Sequence, residues 1–593
     1  MSTESRAPLV SDSFPAQRVE QARQQPLSVP PPHGKALVFV PALASAALLW
    51  ACFYPANCGW IAWIALVGLL CLVRTTASAR WVYLAAWASG LLCYVPVLQW
   101  LRVADDRMVF TWAGLALYCS LFFPVTIFLV RQLDRHTRLP LAFTFPAVWT
   151  ALEYFRAHFG TGFPWYFLGH SQHEFLAVIQ IADLVGAYAV TFLVAAVNAL
   201  IFEWLYQSYR FRAFLSLREP VGGATIFPRM QSFLVVFLLT ATLGYGFWRL
   251  GQGSFATGPR VALIQGNVPQ SIRNAAAADL EAVATDVVLH YTGLSDEAAR
   301  QEPKPDLIVW PETSYPRDWA EVSPELPADR IPAQWRRAEQ ENQDLAQVVS
   351  DRWKTNVLLG LNRAFLGADG QPRSYNSAVL IERGGHASGH YDKIHRVPFG
   401  EYVPLRNWLP WMNAFAPYDF DYSISPGQSL THFSLGGYHF GVVICYEDTD
   451  PYLARQYVGP DGTEPPVDFL LNISNDGWFD GTSEHEQHLA ICRFRAVECR
   501  RAIARAVNMG ISAVIDGNGR IVALPGSSWA SSKKIAAVLT AAIPIDQRSS
   551  LYARWGDWLP WVCWLLVAGG LAGRMVWPRR VPVHATSAGV SAN

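Results

Sequence analysis

Apolar side chains in this chain are concentrated in long runs before residue 250 and again near residue 570. An α-helix needs about 17–25 mostly apolar residues to cross the hydrocarbon core of a bilayer. The weakest run contains Glu153 and Arg156, whose spacing would let them pair on one helix face, and a buried or interfacial helix is the alternative there. Counting that run as a span, the pattern predicts eight transmembrane helices, at 36–54, 58–74, 80–101, 109–130, 139–157, 176–206, 230–249 and 558–577.

The basic residues in the short loops predict the orientation of these helices, because arginine and lysine are retained on the cytoplasmic side. One set of loops and the C-terminal tail contain twelve arginines, whereas the alternate loops contain only Arg102 and Arg107. We therefore expect both termini in the cytoplasm and the segment between the seventh and eighth spans on the outer face. The twelve are Arg74, Arg80, Arg131, Arg135, Arg138, Arg210, Arg212, Arg218, Arg229, Arg574, Arg579 and Arg580.

Between the seventh and eighth spans the pattern changes to short β-rich runs separated by helical stretches. This alternation predicts a layered α/β domain. The predicted strands lie at 261–265, 306–310, 357–361, 377–381, 439–445, 468–472, 503–507 and 511–515, and the predicted helices at 276–291, 333–352 and 484–501.

The chain is therefore expected to have four parts. Residues 1–34 are polar and rich in Pro, Gln and Ser, which is typical of a disordered extension, here cytoplasmic. Residues 35–257 form the seven-helix membrane domain, and 258–546 form the outer α/β domain. Residues 547–593 contain the final span and a cytoplasmic tail.

Composition and charge narrow the class of protein. Hydrophobic residues make up 51% and charged residues 16% of the 593 residues, which argues against a wholly soluble protein. The 47 basic and 47 acidic residues balance, so no charge excess indicates a nucleic acid partner. Of nine cysteines, six lie in or beside apolar runs, where they would pack as small hydrophobes. Cys492 and Cys499 are too far apart on one helix for a disulfide, which leaves Cys445 as a free thiol.

Three residues near the ends of predicted strands are candidates for chemistry. Glu312 follows one strand, Lys393 lies in a loop, and Cys445 ends another strand. A thiol needs a base or a cationic neighbour to become a nucleophile, and an ammonium can also stabilise an oxyanion. Spacing alone leaves a buried structural cysteine, a surface lysine and a loop carboxylate as alternatives.

Histidine clusters and cofactor motifs add no further chemistry at this stage. His485 and His488 have a spacing that could bind a metal, but no third ligand is evident and the H-E-x-x-H order is absent from the sequence. His386, His390 and His395 crowd around Lys393, where we also expect no metal. The sequence contains no G-x-G-x-x-G or P-loop motif, so we expect no cofactor.

Five sequence blocks resemble the nitrilase superfamily in their order and separations: IVWPET, YDKIHRVPFGEYVP, VVICYED, LLNISNDGWF and RAVECRRAIARAVNMGISAVIDGNGRI. The membrane block PAVWTALEYFRAHFGTGFPWYFLGHSQ narrows the resemblance to bacterial apolipoprotein N-acyltransferases, over roughly residues 36–577. One departure is Asn274, which stands where that family usually has a tryptophan. Either another aromatic fills that role or acyl-chain binding is organised differently; candidates for lipid contact are Trp408, Trp411, Phe415 and Trp478.

The resemblance implies a nitrilase-like αββα sandwich joined to eight transmembrane helices in the bacterial inner membrane, with the catalytic domain in the periplasm. It implies that Glu312 is the general base, that Lys393 stabilises the oxyanion and that Cys445 is the acyl-accepting nucleophile. Glu401, Tyr446 and Glu447 match further active-site positions and would support this geometry, with a packing or loop-fixing role as the alternative.

The implied reaction is a two-step acyl transfer without a cofactor. A phospholipid would acylate Cys445, and the α-amine of a diacylglyceryl-modified apolipoprotein would then take the acyl chain. We expect a monomer whose partners are these two substrates and membrane lipid, with no nucleic acid. Two alternatives stay open: a membrane-anchored nitrilase-type amidase that hydrolyses a C–N bond, and a transporter or receptor whose outer domain binds a ligand.

Overall fold

The computed structural model describes residues 36–219, 228–270, 280–416, 422–459 and 465–576. The N-terminal extension predicted at 1–34 and the departure at Asn274 lie outside the described residues. The longer helices are α1 (Ala36–Ala51), α2 (Val67–Arg74), α3 (Ala79–Val97), α4 (Met108–Ser120), α5 (Phe122–His136), α6 (Leu141–His158), α7 (Ala187–Gln207), α8 (Pro228–Gly251), α9 (Leu280–Ala299), α10 (Ala333–Trp353), α11 (Glu484–Cys499) and α12 (Trp558–Val576).

Helices α1 to α8 and α12 form a helical part in which most of the predicted spans are recognisable. Within the described ranges, three helical segments are long and apolar enough to cross a membrane: Met108–His136, Ala187–Gln207 and Pro228–Gly251. The apolar helices Leu37–Ala51, Gly59–Arg74, Leu176–Val185 and Trp558–Gly573 are shorter. The count of eight spans therefore stays a prediction.

The span predicted at 176–206 is wrong in its first half. Only short helical turns, Leu176–Ile179 and Ala182–Val185, precede Gly186, and the continuous helix α7 begins after it. Gly186 has φ 73°, and a Cβ at this position would lie 2.7 Å from the ring of Tyr552. The apolar run looked continuous in sequence because glycine does not interrupt hydropathy, although here it turns the backbone.

The α/β part contains two sheets in the described residues. Their strands are β1 (Ala256–Gln265), β2 (Leu307–Val309), β3 (Trp319–Val322), β4 (Asn356–Leu366), β5 (Pro372–Ile381), β6 (Ala387–Asp392), β7 (His432–Leu435), β8 (Tyr438–Ile444), β9 (Phe469–Ser474), β10 (Ala502–Val507), β11 (Ala513–Ile515), β12 (Ile521–Ala523) and β13 (Ala537–Ile545). The first sheet has the order β13-β1-β2-β4-β5-β6, with β3 paired to β4, and the second has the order β12-β11-β10-β9-β8-β7. The central strands of each sheet, β1-β2-β4 and β8-β9-β10, are parallel.

Three apolar clusters show how these layers stack. One cluster lies between the two sheets and joins residues such as Leu263 of β1 to Leu471 of β9. A second packs the first sheet against α9 and α10, and a third packs the second sheet against α11. The central strands are buried on both faces, which is why their sequences are continuous apolar runs instead of alternating ones. The predicted αββα sandwich is confirmed.

Buried polar contacts attach the α/β part to the helical part. Asp183, which precedes α7, pairs at 2.7 Å with Arg249 at the end of α8 and at 2.7 Å with Arg500 at the end of α11. Glu498 of α11 accepts a hydrogen bond at 2.7 Å from the backbone N–H of Ala187 at the start of α7. Helix α11 therefore connects the second sheet to the helical part.

Replacing Asp183 by asparagine is expected to lower the free energy of unfolding by about 3–5 kcal/mol, because two buried guanidinium groups lose their shared carboxylate. Equilibrium unfolding in detergent would measure this loss. The matched control is Asp296→Asn, which breaks a more exposed pair with Arg352 and should cost less than about 1 kcal/mol. Equal losses in the two variants would contradict a special role for the Asp183 contacts.

Candidate active site

Two of the three predicted catalytic side chains are in direct contact, and the third lies within their electrostatic reach. The Nζ of Lys393 lies 3.1 Å from Oε1 of Glu312 and 2.9 Å from Oε1 of Glu401. Loss of hydration alone would lower the pKa of Lys393, but the two carboxylates outweigh it and hold this pKa well above its usual value. Lys393 is therefore a buried, charged ammonium.

The Cys445 thiol responds to the same charges. Loss of hydration raises its pKa well above the usual value, the charge of Glu312 raises it further, and the charge of Lys393 opposes the rise. The thiol is therefore protonated at neutral pH. A carboxylate that can accept a proton and a cation that favours the thiolate both act electrostatically on Cys445, and nucleophilic catalysis by a thiol requires these two kinds of group.

Glu312 is held by contacts on both carboxylate oxygens. It follows β2 and is 6% exposed. Its Oε1 accepts a hydrogen bond at 2.7 Å from Nδ2 of Asn376, and its Oε2 accepts one at 2.9 Å from the backbone N–H of Asn475. Asn376 was not predicted from the sequence: it lies inside β5 among other polar residues, such as Ser374 and Ser377, so its residue type gave no signal.

Glu401 is the second carboxylate in contact with Lys393. Its Oε1 also accepts a hydrogen bond at 3.0 Å from Asn376, and its Oε2 accepts one at 2.7 Å from the backbone N–H of Val397. The two carboxylates thus share one ammonium and one amide. Glu401 can therefore fix the position of the Lys393 side chain.

Glu447 is fully buried and connects the cysteine to the lysine loop. It accepts hydrogen bonds from the backbone N–H groups of Ile444 (2.7 Å), Ile394 (2.7 Å) and His395 (2.9 Å), and from the hydroxyl of Tyr391 (3.0 Å). Burial raises the pKa of Glu447 to about 7, and the backbone donors counteract part of this rise. The contacts place Glu447 between the end of β8 and the segment that carries Lys393.

The backbone at Cys445 is strained. Cys445 has φ 52°, a left-handed conformation that costs a non-glycine residue roughly 1–2 kcal/mol. Nδ2 of Asn472 donates to the carbonyl oxygens of Val443 and Cys445, each at 3.3 Å. Arg505 donates at 2.6 Å to the other end of the Asn472 amide and so fixes its orientation. Neither Asn472 nor Arg505 was singled out from sequence, although both stand in the blocks that carry the family resemblance.

Tyr446 faces the helical part instead of the interior of the sandwich. Its ring stacks on Trp165 with 6.2 Å between centroids and 9° between planes. Tyr446 belongs to the apolar cluster of the helical part, and Cys445 packs against that cluster as well as against the one between the sheets. The thiol therefore lies at the boundary of the two parts.

The aromatic residues proposed for lipid contact lie in different surroundings. Trp408 and Trp411 are 85% and 61% exposed. Phe415 lies beside α4, because its carbonyl oxygen accepts a hydrogen bond at 3.0 Å from Thr111. Trp478 lies in a short turn after β9 and is partly exposed.

For His488, the structure brings together two potential metal ligands that are not evident in the sequence. Asp476, Glu484 and His488 offer ligand atoms that lie within 4.8 Å of one another. Both ring nitrogens of His488 are already engaged, however: one contacts Asp448 at 2.7 Å and the other contacts Arg505 at 2.8 Å. The guanidinium of Arg505 also pairs with Asp448 and Asp476, so a resident cation already neutralises this cluster.

Removing the charge of Glu312 and removing the charge of Lys393 should shift the pKa of Cys445 in opposite directions. Glu312→Gln removes a negative charge and should lower the pKa of Cys445, whereas Lys393→Met removes a positive charge and should raise it. The pH at which iodoacetamide alkylation of Cys445 reaches half its maximal rate measures both shifts. Labelling of Cys58, which is partly exposed, serves as the internal reference. Identical midpoints in the three proteins would exclude the electrostatic contact.

Comparison with known proteins places the chain in a family. Residues 45–200 match the family model described as apolipoprotein N-acyltransferase N-terminal domain, and residues 260–552 match carbon-nitrogen hydrolase. An apolipoprotein N-acyltransferase of Geobacter metallireducens is 33% identical over 92% of this chain and 96% of that protein. One from Rhodopirellula baltica is 29% identical over 87% and 93%. A carbon-nitrogen hydrolase from Helicobacter pylori, known from a crystal structure, is 16% identical in sequence to this chain. The structural match covers 54% of this chain and 93% of that protein, with a TM-score of 0.33. This chain belongs to the apolipoprotein N-acyltransferase family.

Proposed function

We propose that this protein transfers an acyl chain from a phospholipid, through a thioester on Cys445, to the α-amine of the N-terminal diacylglyceryl-cysteine of apolipoproteins. The observation that carries the proposal is the position of Cys445. Its thiol feels the charges of the Glu312–Lys393 pair and also packs against the apolar cluster of the helical part.

In the first step Glu312 accepts the proton of the Cys445 thiol while the sulfur attacks the ester carbonyl of the phospholipid. The charged ammonium of Lys393 stabilises the negative charge that develops on the carbonyl oxygen. The carbon–oxygen bond to the glycerol then breaks, and Glu312 returns the proton to the departing alkoxide. The products are a thioester on Cys445 and a lysophospholipid.

In the second step the neutral amine of the apolipoprotein attacks the thioester carbonyl. Glu312 accepts a proton from the attacking nitrogen, the carbon–sulfur bond breaks and an amide bond forms. The proton passes from Glu312 to the thiolate and restores the resting thiol. Glu401 and Glu447 take no part in bond making in this scheme; they hold Lys393 and the cysteine turn in place.

The attachment to a helical part suits substrates with long acyl chains. Moving a buried methylene into water costs about 0.8 kcal/mol, so an enzyme that kept its substrates in solution would pay this for every carbon of the chain. A thiol at the boundary of an apolar cluster lets the chain stay among apolar side chains and lipid. Trp408 and Trp411, whose rings are exposed, are the proposed contacts with surrounding lipid.

We also propose the topology that the arginine distribution predicts. Eight spans place residues 258–546 in the periplasm, and both termini, including the extension at 1–34 and the tail within 547–593, in the cytoplasm. The membrane is then the bacterial inner membrane, where phospholipid and lipoprotein substrates meet, and the protein acts as a monomer without a cofactor. The twelve-to-two asymmetry of arginines between the two sets of loops supports this orientation.

Incubation with phospholipid carrying a labelled acyl chain should leave a hydroxylamine-sensitive label on Cys445, because a thioester is cleaved by hydroxylamine. Intact-mass analysis should show one acyl chain added to the protein and none added to Cys445→Ala. Cys58→Ala, which removes another partly exposed thiol, should acylate normally. An unlabelled wild-type protein that hydrolyses a simple amide would instead favour the membrane-anchored amidase, which would use the same three residues.

Glu447→Gln should slow thioester formation on the order of 100-fold, the loss expected when a reacting group is displaced by about 1 Å. In the wild-type protein the backbone N–H donors meet carboxylate oxygens of Glu447. In the variant the side-chain amide must turn its own N–H group toward some of these donors. The rate of mass gain with excess phospholipid measures the effect. The matched control is Glu339→Gln, because Glu339 also accepts a backbone hydrogen bond, at 2.9 Å from Val322, but lies elsewhere. Similar rates in both variants would argue against a positioning role for Glu447.

A further inference from the structure

A loop of the helical part forms one wall beside the catalytic turn. This loop, residues 159–166, follows α6 and contacts several residues of the α/β part, among them Tyr446 and His395. The hydroxyl of Tyr446 donates to the carbonyl oxygen of Gly162 at 3.4 Å, and Nε2 of His395 contacts the carbonyl oxygen of Thr161 at 3.2 Å. The ring of Trp165 stacks on that of Tyr446. Because Tyr446 directly follows the nucleophile in sequence, displacement of this loop would move a side chain that lies next to the reacting thiol.

The backbone of the 159–166 loop has no regular secondary structure whose hydrogen bonds would fix its shape. Gly162 has φ 71°, and a Cβ there would lie 2.2 Å from the carbonyl oxygen of Ala157. Tyr166 also has a positive φ, 56°. This path turns several backbone carbonyl groups toward the interior, where each of them needs a donor.

A single buried side chain, Arg156, supplies those donors. Arg156 is 2% exposed. Its Nη1 lies 3.1 Å from the carbonyl oxygen of Phe163 and 2.6 Å from that of Trp165, and its Nη2 lies 3.3 Å from that of Tyr166. The guanidinium also lies within 6.0 Å of the ring centre of Tyr94. Arginine suits this task because its planar group carries several donors in a fixed geometry.

The neighbouring Glu153 has a separate task, so the pairing that the spacing of these two residues suggested is not what organises the loop. Glu153 accepts hydrogen bonds from Nε1 of Trp149 at 2.9 Å, from the backbone N–H of Leu168 at 2.7 Å and from the hydroxyl of Thr191 at 2.8 Å. Glu153 therefore fixes the chain just after the loop, whereas Arg156 fixes the loop itself. An ionisable residue at membrane depth that binds backbone groups of a working site is a functional candidate.

We propose that Arg156 is a positioning residue for acyl transfer: it holds the 159–166 loop in the shape that sets Tyr446 and His395 beside Cys445. The inference rests on the proposed function. It means that the helical part contributes to the active site as well as carrying it, and that the contribution passes through backbone carbonyl groups that a sequence comparison of side chains would not reveal.

The first test compares Arg156→Lys with Arg131→Lys. Both arginines are buried in the helical part, and Arg131 also donates to a backbone carbonyl, that of Leu72. Lysine keeps the charge but cannot reach three carbonyl groups at once. Thioester formation on Cys445 should slow on the order of 100-fold in Arg156→Lys and stay unchanged in Arg131→Lys.

A second pair of variants disturbs the loop without touching the arginine. Gly160 and Gly162 have nearly equal φ values, 68° and 71°, but a Cβ at Gly160 meets nothing within 4 Å. Gly162→Ala should therefore reproduce the slow acylation of Arg156→Lys, whereas Gly160→Ala, with the same backbone strain, should acylate faster than Gly162→Ala. Equal rates for the two glycine variants would overturn the inference.

Two further readouts separate positioning from general instability. Alkylation of Cys445 by iodoacetamide, a small reagent that does not need the loop, should keep its wild-type pH profile in Arg156→Lys; a shifted profile would overturn the inference. Combining Arg156→Lys with Tyr446→Phe should slow acylation by less than the product of the two single effects, because both side chains act through the 159–166 loop. Independent effects would also overturn it. A wild-type protein that forms no thioester would overturn the proposed function instead.

Discussion

The active site depends on one buried carboxylate that joins two sheets. Glu447 accepts hydrogen bonds from the backbone of Ile444, at the end of β8 in the second sheet, and from Tyr391 and Ile394, in and just after β6 of the first sheet. Apolar packing between the sheets fixes their distance, but it does not by itself fix how one sheet is placed along the other, because dispersion contacts are not directional. Hydrogen bonds to a single carboxylate are directional. They set the position of the cysteine turn relative to the segment that carries the lysine.

The charges around that turn explain why the thiol can be both stable and reactive. Lys393 is shared by two carboxylates, so the group has excess negative charge, and this charge together with the loss of hydration keeps Cys445 protonated at rest. A permanent thiolate at this position would be a strong nucleophile toward any electrophile that reached it. In the proposed mechanism the thiol loses its proton to Glu312 only as a bond to carbon forms, and Lys393 then faces a negative charge that moves from sulfur to the carbonyl oxygen.

The boundary between the helical part and the α/β part contains both polar and apolar contacts. The polar contacts specify how the two parts dock, and the apolar contacts lie where the acyl chain would lie in the proposed function. Asp183 and Arg500 form a buried ion pair across the contact, and the cost of breaking it favours one docking arrangement over others. Beside the cysteine turn, Trp165 and Tyr446 stack, and Cys445 borders the same apolar cluster. The helical part and the αββα sandwich therefore meet at the candidate active site, and neither part contains all of its contacts.

The sequence by itself determined the features that depend on residues close together in the chain. These are the apolar runs, the arginine asymmetry, the strands with reactive residues near their ends, and the motifs containing Glu312, Lys393 and Cys445 that resemble those of a known family. It also indicated Glu401, Tyr446 and Glu447 as supporting residues, although not which partner each one binds. Only the tertiary structure revealed that Asn376 holds the two carboxylates, that the run at 176–206 is interrupted at Gly186, and that Asp476 and Glu484 lie beside His488. The physical reason is the range of the interactions. Hydropathy and strand patterns arise between residues a few positions apart, whereas the hydrogen bond from Asn376 to Glu312 joins residues 64 positions apart and exists only after β2 and β5 have taken their places in the first sheet.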